Sequence, residues 1–386
     1  MTELRVVDVA EDQLDDVFEV RTRSFGPGGD KEEWKESART FIADGRYLGV
    51  QDGDTVVAAA RIWPFEQWWS GRRVGNGGVA GVVVAPEYRG RGVGSLLMRA
   101  VLQRCVDKGC PLTSLYPATT VLYRHLGYEF AGSKHEYTFQ AADLRTLGGG
   151  GTAVRKAGPG DADLFIELAS KVNEQRRTNG PLIWPRREVE SWLKDDNNFA
   201  YVAEDGFVVY RWSDGNLAVE ELVAGSEETT RALWATVGSG SSIAKTVSAC
   251  VPPFDPIHFL AEHEATRQAH QTRWMLRLVD APAALAARGF ANSAVLEADL
   301  RIDDPDVPAN TGDWHLSVHD GSAELTPSEP VDGAVRLGPR GLAALYAGTP
   351  FATLRGTGLA SGGVPELDAA LDAAFGGQPA YMLDDF

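Results

Sequence analysis

Cysteine is scarce in this chain: its 386 residues include three, Cys105, Cys110 and Cys250. They are too few and too irregularly spaced for a disulfide framework. Cys105 and Cys110 stand five apart, which rules out a CxxC redox or metal pair. Basic residues are outnumbered as well. Lys and Arg total 37 against 54 Asp and Glu, a formal net charge of −17. A general binder of nucleic acid or acidic membrane needs a basic face, so neither class fits. The balance suits a cationic small molecule, although acidity also serves solubility alone. No run approaches the roughly 18 apolar residues that span a bilayer. The opening MTELRVVDVAEDQ lacks the apolar stretch of a signal peptide. A reduced, cytoplasmic protein is expected, with no membrane and no nucleic-acid partner. Metal is not expected either. His258, His263 and His270 in HFLAEHEATRQAH are spaced five and seven apart, so an HExxH pair fails and the stretch reads as a solvated helix face.

What is present is an ordinary globular composition, 44% apolar and 24% charged, on a chain long enough for two or three domains. The clearest break is LGGGGT at 147–152, since four consecutive glycines are a large entropic burden inside any helix or strand. A second break falls near Gly289, where a strand, a Pro-opened helix and a Gly stop give way to short alternating strands between turns. Segment 1–147 reads as strand, helix, two strands around DGD, a glycine-rich strand-to-helix turn, a strand PLTSLY, a short helix and closing strands YEFAG and HEYTF. Segment 152–289 repeats the plan weakly, with NLAVEELVAG in the place of GGVAGVVVAP but no glycine-rich turn after it. Segment 290–386 ends in an amphipathic helix through Leu367, Leu371 and Phe375 and an extended tail, YMLDDF. The class is α/β with mixed sheets.

The stretch VAGVVVAPEYRGRGVGSLLMRAVL, 79–102, carries the chemistry. Val82, Val83 and Val84 make a buried strand that Pro86 ends. From Val93, apolar residues at Leu96, Leu97, Ala100 and Val101 trace one face of a helix. The loop therefore opens a helix, where unpaired N–H groups and a positive dipole end attract anions. Gly90, Gly92 and Gly94 allow close backbone approach, and Arg89 and Arg91 add charge-assisted hydrogen bonds. The Walker pattern needs GK[ST], which is missing, and the dinucleotide pattern needs glycine where Ser95 stands. What remains is Arg89-x-x-Gly92-x-Gly94. After a V-x-V-x-P strand and before an amphipathic helix, it matches the pyrophosphate loop of the GCN5-related N-acetyltransferases (GNAT), which bind acetyl-CoA.

Three further features resemble the enhanced intracellular survival (Eis) acetyltransferases within that superfamily. They are the tandem plan, the stretch WMLRLVDAPAALAARGF, and a last segment similar to sterol carrier protein domains with an aromatic end. The resemblance implies two tandem GNAT-like domains followed by a sterol-carrier-like α+β domain that delivers the C-terminus. It implies that Val82 and Val84 pair with the pantetheine arm and that the N–H near Val82 polarises the thioester carbonyl. The loop from Arg89 through Val93 to Ser95 would hold the pyrophosphate, with Ala118 and Thr119 adding contacts. Tyr123, in LYRHLGYEFAG, would be the general acid and the carboxylate of Phe386 the general base. Aminoglycoside or polyamine-like acceptors, a hexamer, and independence of metal complete the expectation.

Phe25 and Trp34 lie after the first helix, where this fold lines its acceptor cleft, and Asp385 stands next to the terminus; all three are expected substrate contacts. The stretch GPGGDKEEW after Phe25 departs from what the family places there. Trp63, Trp68 and Trp69 suit a pocket wall or a subunit interface. Two other readings stay open at this point. A non-catalytic acyl-CoA-binding regulator would keep the loop without needing Tyr123 or Phe386, and a lipid carrier would act through the third segment.

Overall fold

The computed structural model describes residues 4–148, 151–262 and 270–386. The first segment gives β1 (Leu4–Asp8), α1 (Leu14–Phe25), α2 (Lys31–Ala43), β2 (Tyr47–Asp52), β3 (Thr55–Trp69), β4 (Arg72–Val84), α3 (Val93–Asp107), β5 (Leu112–Leu115), α4 (Thr120–His125), β6 (Glu129–Gln140) and α5 (Ala141–Thr146). The second gives β7 (Arg155–Lys156), α6 (Ala162–Arg176), β8 (Asn179–Ile183), α7 (Arg186–Lys194), β9 (Asn198–Ala203), β10 (Gly206–Ser213), β11 (Asn216–Ala224), α8 (Glu227–Gly238), β12 (Thr246–Cys250), α9 (Ile257–Leu260), β13 (His270–Leu278) and α10 (Ala281–Ala287). The third gives β14 (Leu296–Ile302), β15 (Gly312–His319), β16 (Ser322–Pro327), β17 (Val335–Leu337), α11 (Pro339–Tyr346), α12 (Phe351–Gly356), β18 (Ala360–Ser361) and α13 (Pro365–Phe375). His258 and His270 bracket a stretch whose His263 lies outside the described residues.

The duplicated plan is visible in the pairing. Antiparallel strands β2, β3 and β4 lead through α3 to β5, which lies parallel to β4. Strands β9, β10 and β11 lead through α8 to β12, which lies parallel to β11. The two units then exchange their closing strands. β13, from the second segment, pairs with β5, while β6, from the first, pairs with β12. β6 and β13 also pair with each other, which makes one sheet in the order β1-β2-β3-β4-β5-β13-β6-β12-β11-β10-β9-β7 with β8 on β3. YEFAG and HEYTF are thus one strand, its first half on β13 and its second half on β12.

The third segment forms a separate sheet, β16-β15-β14-β17-β18. Its helical side packs against the large sheet through one apolar cluster that joins Trp69, Leu112 and Trp274 to Tyr346, Phe351 and Phe375. Burying such aromatic and aliphatic side chains contributes about 1.5–3 kcal/mol each, so this junction is part of the core. Of the three tryptophans on β3, Trp69 is fully buried here against Trp274 and Tyr346, and Trp63 packs instead on Phe41 and Phe65.

Candidate active site

Helix α3 begins without a side-chain cap. Gly92 occupies its N-cap in the left-handed conformation at φ 80°, and Gly90 precedes it at φ 73°. An L side chain is strained in that region, so these two glycines set the loop's shape. Gly94 lies within the first turn, beside Leu122. The first turn carries no acidic residue, and Arg89, Gly90, Arg91 and Gly92 are all exposed. Arg89 is steadied by bonds from its guanidinium to the Val84 carbonyl at 3.2 Å and to the Ser24 hydroxyl at 3.3 Å. Arg91 lies over the Tyr88 ring at 4.9 Å. The result is a helix N-terminus with open donors and two cations, a seat for an anion. The matching helix of the second unit is closed. Ser226 caps α8 by accepting from the Thr229 N–H at 3.3 Å, and Glu227 and Glu228 fill its first turn. That end repels phosphate.

Strands β4 and β5 stay paired only from Asn76↔Leu112 to Gly78↔Ser114. Beyond Gly78, β4 continues on β3 alone, with a bulge between its Ala80 and Val83 pairings where Gly81 has φ 60°. From Val79 to Val84 its other edge has no strand partner among the described residues. Val83 is buried, and Val82 and Val84 are half-buried. An unpaired strand edge leading to an anion seat fits a long ligand with amide groups and a diphosphate end.

Across this opening stands α4, after the exposed Ala118 and Thr119. Its Tyr123 is 5% exposed, and its ring meets Tyr128 edge-on at 6.0 Å. Burial pushes the Tyr123 hydroxyl up to about 12, so it holds its proton at neutral pH. Tyr128 is tied into the rung where β4 and β5 part: its hydroxyl lies 3.2 Å from Thr113 Oγ1, which donates to the Gly77 carbonyl at 2.7 Å.

The C-terminal tail reaches the same place from the third segment. It passes over Gly132 on β6 and Gly180 on β8, where a Cβ would lie 2.2 Å from the carbonyl oxygens of Ala380 and Tyr381 respectively. The Tyr381 N–H donates to the Asn179 carbonyl at 2.9 Å. Farther on, the Tyr116 hydroxyl donates to the Asp384 carbonyl at 2.8 Å, the Trp184 indole N–H donates to Asp384 Oδ2 at 3.0 Å, and Lys134 pairs with Asp385. The Phe386 ring ends against Phe65 at 5.1 Å, against Tyr116 at 5.6 Å, and over Gly78.

Beside the tail lies a cleft of about 760 Å³. Trp63, Trp184, Trp192 and Trp212 wall it, and Glu188, Asp195, Glu220, Glu221, Asp384 and Asp385 place six carboxyls around it against Lys134 and Arg211. Burial pushes Asp384 above the ordinary carboxylate range, with Trp184 and Lys134 pulling the other way. Burial raises Glu221 as well, and the Asp384 charge adds to it. An ammonium group would relieve both.

The sequence-derived residues therefore fall into three groups. Val82 to Val84 form the unpaired strand edge, and Arg89 to Ser95 form the loop and helix start that follow it. Tyr123 and Phe386 flank the parting of β4 and β5. Asp385 lines the cleft, whereas Phe25 is 57% exposed at the end of α1 and Trp34 packs on Phe18 at 5.2 Å. Of the stretch carrying those two, Ser37 on α2 is the residue that lines the cleft. Sequence reasoning missed Tyr116, Lys134, Trp184 and Glu221. Nothing local marks them, because their partners are on the tail and on the other unit.

Comparison with known proteins agrees with this division of the fold. Residues 5–131 and 177–278 each match an acetyltransferase (GNAT) domain, and residues 281–383 match a sterol carrier protein domain. The chain is 30% identical over 323 residues to the N-acetyltransferase Eis of Mycobacterium tuberculosis (strain ATCC 25177 / H37Ra), with 77% of each chain covered. The crystal structure of a GCN5-related N-acetyltransferase from Kribbella flavida superposes with a TM-score of 0.98 at 63% identity, covering 100% of this chain and 98% of that one. Eis1 from Mycobacterium abscessus shares the fold with a TM-score of 0.78 at 24% identity over the whole of both chains. The two tandem acetyltransferase units and the third domain are thus a shared architecture, and the chain belongs to the Eis family of GCN5-related N-acetyltransferases.

Proposed function

We propose that the protein acetylates a primary amine of a cationic acceptor, an aminoglycoside or polyamine-like molecule, by direct attack in a ternary complex with acetyl-CoA. The observation that carries this reading is the tail, seated by Tyr116, Trp184 and Lys134 so that Phe386 lies over Gly78 beside an aromatic, carboxyl-rich cleft. Arg89, Arg91 and the N–H groups opening α3 hold the pyrophosphate, with Gly90, Gly92, Val93, Gly94 and Ser95 shaping the seat. The bare edge at Val82 and Val84 receives the pantetheine amides, and Ala118 and Thr119 line the far side.

An alkyl ammonium has a pKa near ~10 and must lose a proton before it can attack. The Phe386 carboxylate takes that proton. An ordinary α-carboxyl titrates near ~3.5; the neighbouring acidic side chains make this one a better base. The amine nitrogen then bonds to the thioester carbonyl carbon while the N–H near Val82 polarises the carbonyl. As the C–S bond breaks, Tyr123 gives its proton to the thiolate and recovers one from the acylated nitrogen, so that one proton is released per turnover. The carboxyls of the cleft hold the acceptor's other ammonium groups. The proposal takes 1–147, 152–289 and 290–386 as the three units, a hexamer as the assembly and the cytoplasm as the location, all by family resemblance.

The test is thiol release from acetyl-CoA with aminoglycosides, polyamines and lysine peptides. Tyr123→Phe and a form extended by a few residues beyond Phe386 are run beside the parent. Release with one amine class, lost in both variants, is the expected result. An extended form as active as the parent removes the terminal carboxylate as base, and acetyl-CoA binding without release for any amine removes the transferase reading for these acceptors.

A further inference from the structure

The third domain also touches the first unit through a contact that does not involve the tail. Glu129 opens β6 four residues after the end of α4 and is 6% exposed. Its Oε1 accepts from Arg124 Nη2 at 2.9 Å and from the Phe130 N–H at 3.0 Å. Its Oε2 accepts from Arg340, at 2.8 Å from Nε and 2.6 Å from Nη2. Arg124 adjoins Tyr123 on α4, and Arg340 stands on α11 of the third domain. One carboxylate therefore bridges the tyrosine's helix to the third domain.

The same end of α4 is held by a second guanidinium. Arg277, on β13, is fully buried. It donates from Nε to the Leu126 carbonyl at 3.0 Å and from Nη2 to Asp304 Oδ1 at 2.5 Å. Asp304 lies just beyond β14 of the third domain and also accepts from the Val307 N–H at 3.1 Å and from Asn310 at 3.1 Å. Between the two clamps sits Gly127, where a Cβ would lie 2.7 Å from both Arg277 and Pro339, so the loop after α4 is pressed against the first residue of α11.

This loop sets the tyrosine. The Tyr123 carbonyl accepts from the N–H groups of both Leu126 and Tyr128 at 3.0 Å, and its ring packs on Tyr128. A rotation of residues 126–129 turns Tyr123 with it. Burial works against the Glu129 charge, yet the bonds from Arg124, Phe130 and Arg340 outweigh it and keep this carboxyl below its ordinary range, ionised and paired.

We propose that Arg340 and Glu129 are positioning residues for Tyr123, so that the third domain orients the proton donor as well as delivering the tail. The inference rests on Tyr123 being the general acid. It distinguishes this role from plain packing, because a residue acting through Tyr123 has nothing left to act on once the hydroxyl is gone.

The test is a double-mutant cycle on the full chain with the best amine found in the thiol assay. Arg340→Ala is expected to lower kcat about tenfold, less than the ~100-fold that a full 1 Å misplacement can cause. KM for acetyl-CoA should stay within about twofold, since neither Arg340 nor Glu129 bonds to any residue from Arg89 to Ser95. Arg340→Lys, which keeps one charged bond, should recover most of the loss, and Glu129→Gln should resemble Arg340→Ala. In a Tyr123→Phe background, Arg340→Ala should lower kcat no further. An equal loss in both backgrounds overturns the inference and leaves the general-acid reading standing. A Tyr123→Phe enzyme as fast as the parent overturns both. If Arg340→Ala unfolds, as read by its thermal midpoint, the cycle is run with Arg340→Lys and Glu129→Gln under the same criteria.

Discussion

Gly180→Ala tests whether the tail's seat governs turnover. The added Cβ would lie 2.2 Å from the Tyr381 carbonyl oxygen, where carbon and oxygen ordinarily keep roughly 3.3 Å or more. About 1 Å must be found. It cannot come from β8, which is paired with β3 and whose Gly180 carbonyl accepts from the buried Gln67 amide at 2.8 Å. The tail must give way instead, against bonds from the Tyr381 N–H to Asn179 at 2.9 Å, from the Ser133 N–H to Ala380 at 3.3 Å and from the Met382 N–H to Ser133 at 3.4 Å. Gly180 also has φ 105°, a conformation that costs an L residue about 1–3 kcal/mol. A shift of that size, carried along the tail to Phe386, should lower kcat about 100-fold. Affinity for acetyl-CoA should not change, because the loop at 89–95 touches none of these groups. Steady-state thiol release and calorimetric titration with CoA read the two quantities separately. A variant that folds, binds CoA and turns over within about twofold of the parent would refute the reasoning, because the strain would then have been absorbed without moving the terminus.

Three further outcomes follow from the geometry. Arg89→Ala should raise the dissociation constant for CoA about tenfold or more, since a charge-assisted bond contributes about 1.5–3 kcal/mol; an unchanged constant by titration would remove Arg89 from the anion seat. Burial raises Glu221 and Asp384, so above the unfolded carboxyl value of about 4 the folded state binds more protons than the unfolded one. Their contribution to stability is present below that value and is lost as pH rises through their raised folded values. The thermal midpoint should therefore fall from about pH 5 to pH 8, and Glu221→Gln should flatten that fall, with an unaltered slope counting against the assignment. A fluorescent fatty acid titrated into the protein should show no saturable binding, and saturation at micromolar concentration would reopen the carrier reading of the third domain.

The glycine loop was legible because its chemistry is local: positive-φ glycines, two arginines and an apolar helix face all lie within one short stretch. The helix α2 was not anticipated, although Asp30 followed three residues later by Glu33 is a start signal, and Asp30 does cap it through the N–H groups of Glu32 and Glu33. The charges in KEEWKESARTFIA hid the narrow apolar face carrying Ala38 and Phe41. Strand exchange was illegible for a different reason. Alternation along β6 and β13 tells which face each residue takes, not which strand lies alongside. The groups that hold the tail are the extreme case. Tyr116, Lys134 and Trp184 meet their partners 200 or more residues away in sequence. Each looks locally like an ordinary surface or core-edge residue.

The third domain matches a sterol carrier protein domain, yet its helical side is filled with packed side chains. A carrier needs an open apolar interior, and here the helical side of that domain is closed by Arg288. This guanidinium is 1% exposed and donates to the carbonyls of Tyr346, Gly289 and Phe375 at 3.2, 3.1 and 3.0 Å. It also lies within 5.3 Å of the rings of Phe290, Tyr346 and Phe375. An acyl chain threaded between those rings would strip a buried cation of its partners, a loss of several kcal/mol that the burial of a few methylenes, about 0.8 kcal/mol each, offsets only in part. The rings are held for a different purpose. Tyr346 packs on Trp69 of β3 at 4.9 Å and Phe375 on Phe290 at 5.5 Å, so the charge that closes the interior also fixes the domain against the large sheet. From that fixed position α11 presents Arg340 to Glu129, and the residues after α13 run across β8 and β6 to the parting of β4 and β5. Arg288 thus ties together the helical side from which both contacts are made.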